Sequence, residues 1–498
     1  MQSGNKPLKR RRKNIAKKSH NKGADSKRQS VFDKSKNDVK SPYLAGRSYI
    51  SRKKPIIKRT PRESAVYVIS KWLRNAVRID YLVDDLIDRH GWGQKDKNLF
   101  YELVYGTVKW QGRIKWILNE LTDRFDNNPE TARAAAYVGV YQILFLDRVP
   151  DFAAVHSIVE IVKTKHDQAT AGWINAILRR LCRETKEWAN ALPETSSRFD
   201  RLSIEYSFPG WMIERWFKQL DKDSLRKFLS WSNRSPEVIF RVNIQQASQK
   251  KVIGFLDKDE ISHNVSDFDP QYIILKHAGN ISRVESVRKG LVVVQDHAQS
   301  IPPNLLNPQP GEIILDLCSA PGGKAGHLAE LCPKAEIIAT DKSEDRLARV
   351  ADMLHRCEYK NLNVKQYQEV ISSSMNYDGI LIDAPCTGTG VMARRPDLRW
   401  RQMPNDTAKM AGIQRQLLRY AAERVKIGGR IVYSTCSVEI EENEFVIEEF
   451  LRTHSGYTIS DEKSKYSGEK YCDKGVIRLF GPEIKGDGIF AVMLRRLK

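Results

Sequence analysis

The second half of the chain alternates short apolar runs with longer helical stretches, and this succession constrains the fold more than any other feature of the 498 residues. The runs are Ile313-Ile-Leu, Ile337-Ile-Ala, Gly379-Ile-Leu-Ile and Arg430-Ile-Val-Tyr. Each is short and rich in β-branched residues without polar alternation, as expected of a strand buried on both faces. Strands of this kind separated by helices predict a mostly parallel sheet with helices on both sides. In such a sheet ligands sit beyond the carboxyl ends of the strands. Asp316, Asp341, Asp383 and Ser434 stand there, each within two positions of the end of a run.

Ahead of this α/β domain, expected over residues 301–498, the texture differs. Ala65, Val68, Ile69 and Trp72 recur at helical spacing, as do Leu99, Leu103, Val104 and Val108, and then Tyr141, Leu144 and Phe145. Glycine is sparse and strand-like alternation is absent, so residues 62–185 predict an all-helical domain of six or seven helices. Residues 186–300 read as a helical linker around Tyr206-Ser-Phe-Pro-Gly-Trp-Met and then a small mixed α/β module. Its strands are expected at Val238-Ile-Phe-Arg-Val, Tyr272-Ile-Ile-Leu and Leu291-Val-Val-Val. Residues 1–61 alternate Lys and Arg with Ser, Asn, Gly and Pro, which predicts a disordered basic tail. The fold class is multidomain: an all-α N-terminal domain and a Rossmann-like α/β domain.

The net charge of +22 points to a polyanionic partner. Its placement matters more than its size. Residues 1–62 hold 21 Lys/Arg against 3 Asp, so most of the basicity belongs to the tail. Such a tail suits electrostatic capture of nucleic acid by counterion release. No apolar run approaches the roughly 18 residues of a spanning helix, so no membrane association is expected. The basic start, Met1 to Lys13, lacks the apolar stretch of a secretory signal. Seven cysteines without a CxxC pair fit a reducing cytoplasm, with neither a disulfide framework nor a zinc ribbon.

The first strand leads into Asp316-Leu-Cys-Ser-Ala-Pro-Gly-Gly-Lys324. A glycine pair between strand and helix lets the backbone turn tightly and approach a ligand. The G-x-G-x-x-G of dinucleotide folds is absent. Asp341, 18 residues past Gly323, is placed to accept from ribose hydroxyls. Together these features indicate a nucleoside-bearing cofactor, which could be S-adenosylmethionine; an ordinary α/β turn is the bland alternative. The third strand ends in Asp383-Ala-Pro-Cys386-Thr-Gly-Thr-Gly390 and the fourth in Ser434-Thr-Cys436-Ser-Val-Glu439. A lone cysteine is more often a small buried hydrophobe. Two at the ends of neighbouring strands suit covalent catalysis, because C5 of a pyrimidine becomes nucleophilic only after a thiolate adds at C6. A helix amino terminus near each cysteine would favour the thiolate.

Taken together, D-L-C-S-A-P-G-G-K, D-A-P-C-T-G-T-G and S-T-C-S-V-E-x-x-E-N-E resemble the RNA cytosine-C5 methyltransferases, the family of the Nop2/Sun proteins and bacterial RsmB. The resemblance implies that Cys436 is the nucleophile and that Cys386 assists product release. DNA cytosine methyltransferases use the Pro-Cys cysteine and generally lack the second, so the pair favours RNA. It further implies S-adenosyl-L-methionine as methyl donor, held by Cys318, Ser319, Ala320, Pro321, Gly322, Gly323 and Lys324 together with Asp341 and Asp383. Lys324 and Asp383 join the two cysteines in the implied catalytic set, with Asp383 near the target base. Cys318 is expected to pack rather than react. Gln368 stands where relatives usually carry an Asp toward the adenine, and an amide can still hydrogen-bond there.

Glu102-Leu-Val-Tyr-Gly106, Tyr141-Gln-Ile-Leu-Phe-Leu, Val149-Pro, Ala153-Ala-Val-His156 and Asn175-Ala-Ile-Leu-Arg-Arg180 resemble the NusB-like domain fused ahead of RsmB-type enzymes. This implies an RNA partner, 16S rRNA foremost with tRNA as the alternative, and a monomeric enzyme. His156 is expected to be a capping or surface residue, while Arg179 and Arg180 are either RNA contacts or solvated. At least one arginine of Arg394-Arg-Pro-Asp-Leu-Arg-Trp400 is expected to meet RNA, and Trp400 either stacks on a base or packs in the core. Arg241-Val-Asn243 lies in the module that, in relatives, lines the RNA groove. Two rivals remain: a non-catalytic RNA-binding or antitermination factor, and a methyltransferase acting on an exocyclic amine. Neither has a use for the two cysteines.

Overall fold

The structure, a computed structural model, describes residues 59–498 apart from 77, 124, 195–196, 277–280, 282–283 and 462–471. The basic tail expected at 1–61 thus lies outside the described residues except for its last three. Seven α-helices come first: α1 (Pro61–Asn75), α2 (Ile79–Arg89), α3 (Gln94–Lys109), α4 (Gln111–Leu121), α5 (Glu130–Phe145), α6 (Asp151–Lys163) and α7 (Gln168–Arg183). Local chemistry sets where they begin. The Thr60 hydroxyl accepts from the Glu63 N–H, the Glu63 carboxylate accepts from the Thr60 N–H, and Pro61 occupies the first helical position. Asp167 caps α7 by accepting from the Thr170 N–H.

Helix α5 is the hub of this domain and packs against α1, α3, α4, α6 and α7. Its alanines and Gly139 let those neighbours approach closely. In α3, a Cβ built on Gly106 would lie 2.0 Å from the ring of Tyr141, whose hydroxyl is tied to Glu102. Gly106→Ala is therefore expected to cost about 2 kcal/mol by overpacking, read as an earlier urea midpoint for the helical domain.

Four helices follow, Thr185–Asn190, Arg198–Tyr206, Gly210–Phe217 and Lys222–Ser232, with Phe208, Trp216 and Phe228 in their core. They lead to a small antiparallel sheet of β1 (Val238–Val242), β2 (His263–Val265), β3 (Tyr272–Leu275) and β4 (Val292–Val294), in the order β2-β3-β1-β4. Three of these strands are the expected ones. The fourth, His-Asn-Val, carries no apolar alternation that would reveal it.

The large sheet contains β5 (Ile313–Asp316), β6 (Glu336–Ala339), β7 (Leu362–Val364), β8 (Tyr377–Asp383), β9 (Val425–Thr435), β10 (Tyr457–Ile459), β11 (Val476–Leu479) and β12 (Ile489–Arg496). The first five are parallel in the order β7-β6-β5-β8-β9; β12 joins β9 antiparallel, and both β10 and β11 pair with β12. The four expected strands are β5, β6, β8 and β9. Separate apolar clusters cover the two faces, one holding Leu328 and Val350, the other Leu418 and Val446. From β5 the chain goes to β6 on one side and later returns to β8 on the other. The crevice at this switch point, outside the carboxyl ends of β5 and β8, is where such sheets bind ligands. Among the described residues no helix is long and apolar enough to cross a membrane.

Candidate active site

β5 ends on Asp316, which is fully buried and has no donor in hydrogen-bonding geometry at either carboxyl oxygen. Burial and the nearby Asp383 charge push its pKa up to about 8, against the pull of Lys324. Ser319 then ties the following turn to the end of β6, donating to the Thr340 carbonyl from its N–H at 2.9 Å and its hydroxyl at 3.0 Å. The Gly322 N–H closes the turn on the Ser319 carbonyl at 2.6 Å, around a cis Ala320–Pro321 bond. Gly322 has φ +108°, and a Cβ there would lie 2.5 Å from Met353, so only glycine fits. Cys318 packs in the apolar cluster on one face of the sheet, and burial pushes its thiol pKa up.

Past β6, the buried Asp341 accepts from the Ser343 N–H at 3.0 Å and from Arg346 at 3.1 Å. Arg346 also donates to the Ala320 carbonyl at 3.2 Å, linking this strand end to the glycine turn. Gln368 is exposed in the first turn of the helix Tyr367–Ser372, and half-buried Gln366 stands just before that helix, after β7.

Lys324, in the helix Gly323–Leu331, reaches back to Asp383 at the end of β8, with Nζ 2.7 Å from Oδ2, and also donates to Gln299. The Ser434 hydroxyl donates to the other Asp383 oxygen at 3.1 Å. The Asp383 side chain is 33% exposed and that of Lys324 only 10%. The carboxylate is thus the open partner and the ammonium backs it.

Three residues on stands Cys386, and directly after β9 stands Cys436; their sulfurs are 3.2 Å apart. The two loops are also joined through backbone. The Gly390 N–H donates to the Cys436 carbonyl and the Gly488 N–H to the Gly390 carbonyl, each at 2.9 Å. The expected helix terminus beside each cysteine is absent. Only a 3-10 turn, Thr389–Val391, follows Cys386, and the helix after Cys436 begins at Glu444. At Cys386 the environment acts in the opposite direction: contact with Cys436, burial, and the Glu442 and Asp383 charges push its thiol pKa well up.

The Arg394–Trp400 segment makes extensive contacts within the protein. Arg394 pairs with Asp296 at 2.6 Å and Asp487 at 2.9 Å, and Arg395 with Asp80 of α2 at 3.0 Å. The Trp400 indole donates to the Val108 carbonyl of α3 at 2.7 Å, so this residue packs between domains. Arg399 is fully buried among carbonyls. These side chains join the Pro-Cys loop to the helical domain. Arg241 is likewise buried and does not line a groove: it pairs with Glu330 at 2.8 Å and donates to the Gly323 carbonyl at 2.6 Å, pinning the glycine turn from β1. Asn243, also buried, donates to the Gly290 and Cys357 carbonyls, each at 3.1 Å. His156 is exposed; Arg179 donates to Asn175 and Arg180 to Glu184 on the exposed side of α7. Sequence reasoning assigned no role to Asp316, Gln299 or Ser434. Gln299 carries no local signal, whereas the other two lie inside motifs already singled out.

A switch-point glycine turn, acids at the strand ends and a sheet completed by one antiparallel strand beside β9 define a Rossmann-like methyltransferase domain. The sequence matches the NusB family over residues 59–183, the RsmF/B-like ferredoxin-like domain over 208–282 and 16S rRNA methyltransferase RsmB/F over 303–495. It is 31% identical over 440 residues to the ribosomal RNA small subunit methyltransferase B of Proteus mirabilis, covering 87% of this chain and 98% of the relative. Identity is also 31% over 446 residues with the probable ribosomal RNA small subunit methyltransferase B of Synechocystis, covering 87% and 99%. The crystal structure of PH0851 superposes with a TM-score of 0.73 at 27% identity, covering 89% of this chain and all of that one. The chain belongs to the RsmB/F family of methyltransferases. Among the described residues no three His, Cys, Asp or Glu side chains are grouped to hold a metal.

Proposed function

We propose that the protein is an S-adenosylmethionine-dependent RNA (cytosine-C5)-methyltransferase acting on 16S rRNA, through a covalent adduct of Cys436 with Cys386 assisting release. The observation that carries this reading is the contact of two sulfurs, 3.2 Å apart, at the ends of β8 and β9 beside the Lys324–Asp383 pair. When bound, the cofactor supplies an electrophilic methyl group. The residues present fit it: the turn 318–323 brings backbone close, Asp316 offers unpartnered carboxyl oxygens beneath, and Asp341 offers a ribose acceptor. Gln368 serves on the adenine side of the cofactor.

The Cys436 thiolate adds to C6 of the cytosine, and the C5=C6 electron pair moves onto C5, which becomes nucleophilic. Asp383 accepts from the exocyclic amine of the base, while Lys324 fixes the carboxylate's orientation from behind. After methylation a water molecule takes the proton from C5, the electron pair of that C–H bond reforms the C5=C6 double bond, and the Cys436–C6 bond breaks with its pair going to sulfur. Cys386, held as a thiol in contact with that sulfur, donates to it as it leaves. The base must leave any stack to reach the cysteines, so a loop or locally opened RNA is the substrate.

In this reading residues 62–185 bind RNA, 186–300 link, 301–498 catalyse, and the tail of 1–61 captures RNA electrostatically, in a monomeric cytoplasmic enzyme. The names of the relatives and the fused NusB-like domain favour 16S rRNA over tRNA. The test is methyl transfer from labelled cofactor to unmodified 16S rRNA and, in parallel, to unmodified tRNA, followed by digestion to nucleosides. The label is expected in 5-methylcytidine. Label in an amine-methylated nucleoside, or in tRNA alone, would overturn the proposal.

A further inference from the structure

Beneath the two sulfurs lies a carboxylate that the mechanism above does not use. Glu442 has no solvent exposure. One of its oxygens accepts from the Thr387 backbone N–H at 2.9 Å and the Gln414 amide at 3.0 Å. The other accepts from the Ser437 hydroxyl at 3.0 Å and from the Thr387 hydroxyl. Thr387 follows Cys386 and Ser437 follows Cys436, so one carboxylate grips both loops a single residue past each sulfur. Gln414 also donates to the Pro385 carbonyl, on the other side of Cys386, at 2.9 Å. The adjacent Asn443 brackets Cys436 in the same way, accepting from the Thr435 hydroxyl at 2.6 Å and donating to the Ser437 carbonyl at 2.9 Å.

Burying a carboxylate is costly unless donors occupy its oxygens, and burial pushes the Glu442 pKa up. Four donors offset that cost. They do what an apolar side chain of the same size could not: they fix the direction of both loops at once. We propose that Glu442 is a positioning residue of the methyl-transfer reaction, holding Thr387 and Ser437 so that the Cys386 and Cys436 sulfurs stay in contact. Attack by one cysteine and release by the other then need no rearrangement of the loops. The catalytic consequence rests on the covalent reading above, whereas the spacing does not.

The test uses the full chain and diamide. This diazene takes two electrons and two protons from a thiol pair, joins the sulfurs and is itself reduced to the hydrazine. The rate of the Cys386–Cys436 cross-link, identified by peptide mapping, reads sulfur proximity without RNA or cofactor. Glu442→Ala is expected to slow it about tenfold, because disulfide formation requires a narrow geometry. Glu442→Gln keeps the strap: its oxygen faces the two N–H donors, and its amide donates to the two hydroxyls, which turn to accept. Its cross-linking rate should stay within about threefold of wild type. Glu442→Ala should also lose about a hundredfold in kcat through misplacement of the reacting groups. Its KM for the cofactor should stay within about twofold, because β5 and Arg241 hold the cofactor turn independently.

Cross-linking of Glu442→Ala at the wild-type rate overturns the proposal. So does Glu442→Gln as slow as Ala, since charge and not the strap would then be at work. If Glu442→Ala does not fold, Ser437→Ala removes the carboxylate's link to the Thr-Cys loop, together with the hydroxyl's contacts to Thr387 and Thr389, and must slow cross-linking in the same direction. Methylation found at an atom other than C5 would remove the covalent reading and leave these rates to decide the strap.

Discussion

Cys436→Ala is expected to lower methyl transfer by at least about a thousandfold, the order seen when a covalent nucleophile is removed from its catalytic unit. Cofactor affinity should hold, because Cys436 lies outside the turn of residues 318–324. Cys386→Ala is expected to fail differently. Its RNA is still attacked and methylated, but the leaving Cys436 sulfur has lost the thiol 3.2 Å away that donates to it. A covalent RNA–protein complex should accumulate, visible as labelled RNA migrating with protein on a denaturing gel. The double variant should show none. The assignment follows from the surroundings of Cys386: contact with the Cys436 sulfur first, then burial, then the Glu442 and Asp383 charges hold it as a thiol, suiting it to donate a proton and not to attack. If the adduct builds up in Cys436→Ala and not in Cys386→Ala, the two roles are exchanged. If Cys436→Ala methylates normally, neither role stands.

What could be read ahead of the structure was local. The strands of the large sheet announce themselves as apolar runs, and the chemistry-bearing residues follow within a few positions, so strand ends and motifs are legible together. β2 was missed because three polar-leaning residues on a small sheet carry no pattern. The helix-terminus argument at the cysteines failed because the Pro-Cys loop continues into a 3-10 turn and an extended, cross-strapped path. The residues whose packing the sequence shows least are Arg394–Trp400 and Arg241. Surface arginines and buried ones look alike in a sequence when their partners are remote: Asp80 is 315 positions from Arg395, and Glu330 is 89 from Arg241. Cationic side chains beside an active-site loop suggest RNA, and only tertiary packing shows that these carry domain junctions. Glu442 illustrates the reverse case, an acid inside a recognised motif whose purpose becomes visible only when both cysteine loops are seen to meet on it.

Arg399→Met is expected to destabilise the protein by about 3 kcal/mol, a prediction in which two opposing effects must be weighed. Removing a buried charge that lacks an acidic partner should be favourable, since burial alone pushes this guanidinium down to about 9. Against this stand the acceptors it satisfies at the carboxyl ends of three helices. It donates to the Ser232 carbonyl and the Asn233 side chain at 2.6 Å, and to the Lys109 and Ser207 carbonyls at 3.4 Å. These ends carry the negative pole of the helix dipoles, which is what stabilises a cation there. Each acceptor stranded in the interior costs about 1–3 kcal/mol, so two well-bonded ones already exceed what a methionine returns by packing on Phe208. The same substitution should alter the pH dependence of stability. Lys109, donating to the Asn233 and Arg234 carbonyls, is lowered to about 8 by burial first and by the Arg399 charge second. Between that value and its unfolded one near 10.5 the unfolded chain binds the extra proton, so this group makes wild-type stability rise with pH. Without Arg399 the depression is smaller and the rise between pH 8 and 10.5 should flatten. Denaturant unfolding of both proteins at pH 7 and pH 9.5 checks both effects. A variant as stable as wild type, with an unchanged pH slope, would mean that Arg399 does not hold the junction between the Pro-Cys segment and the helical domain.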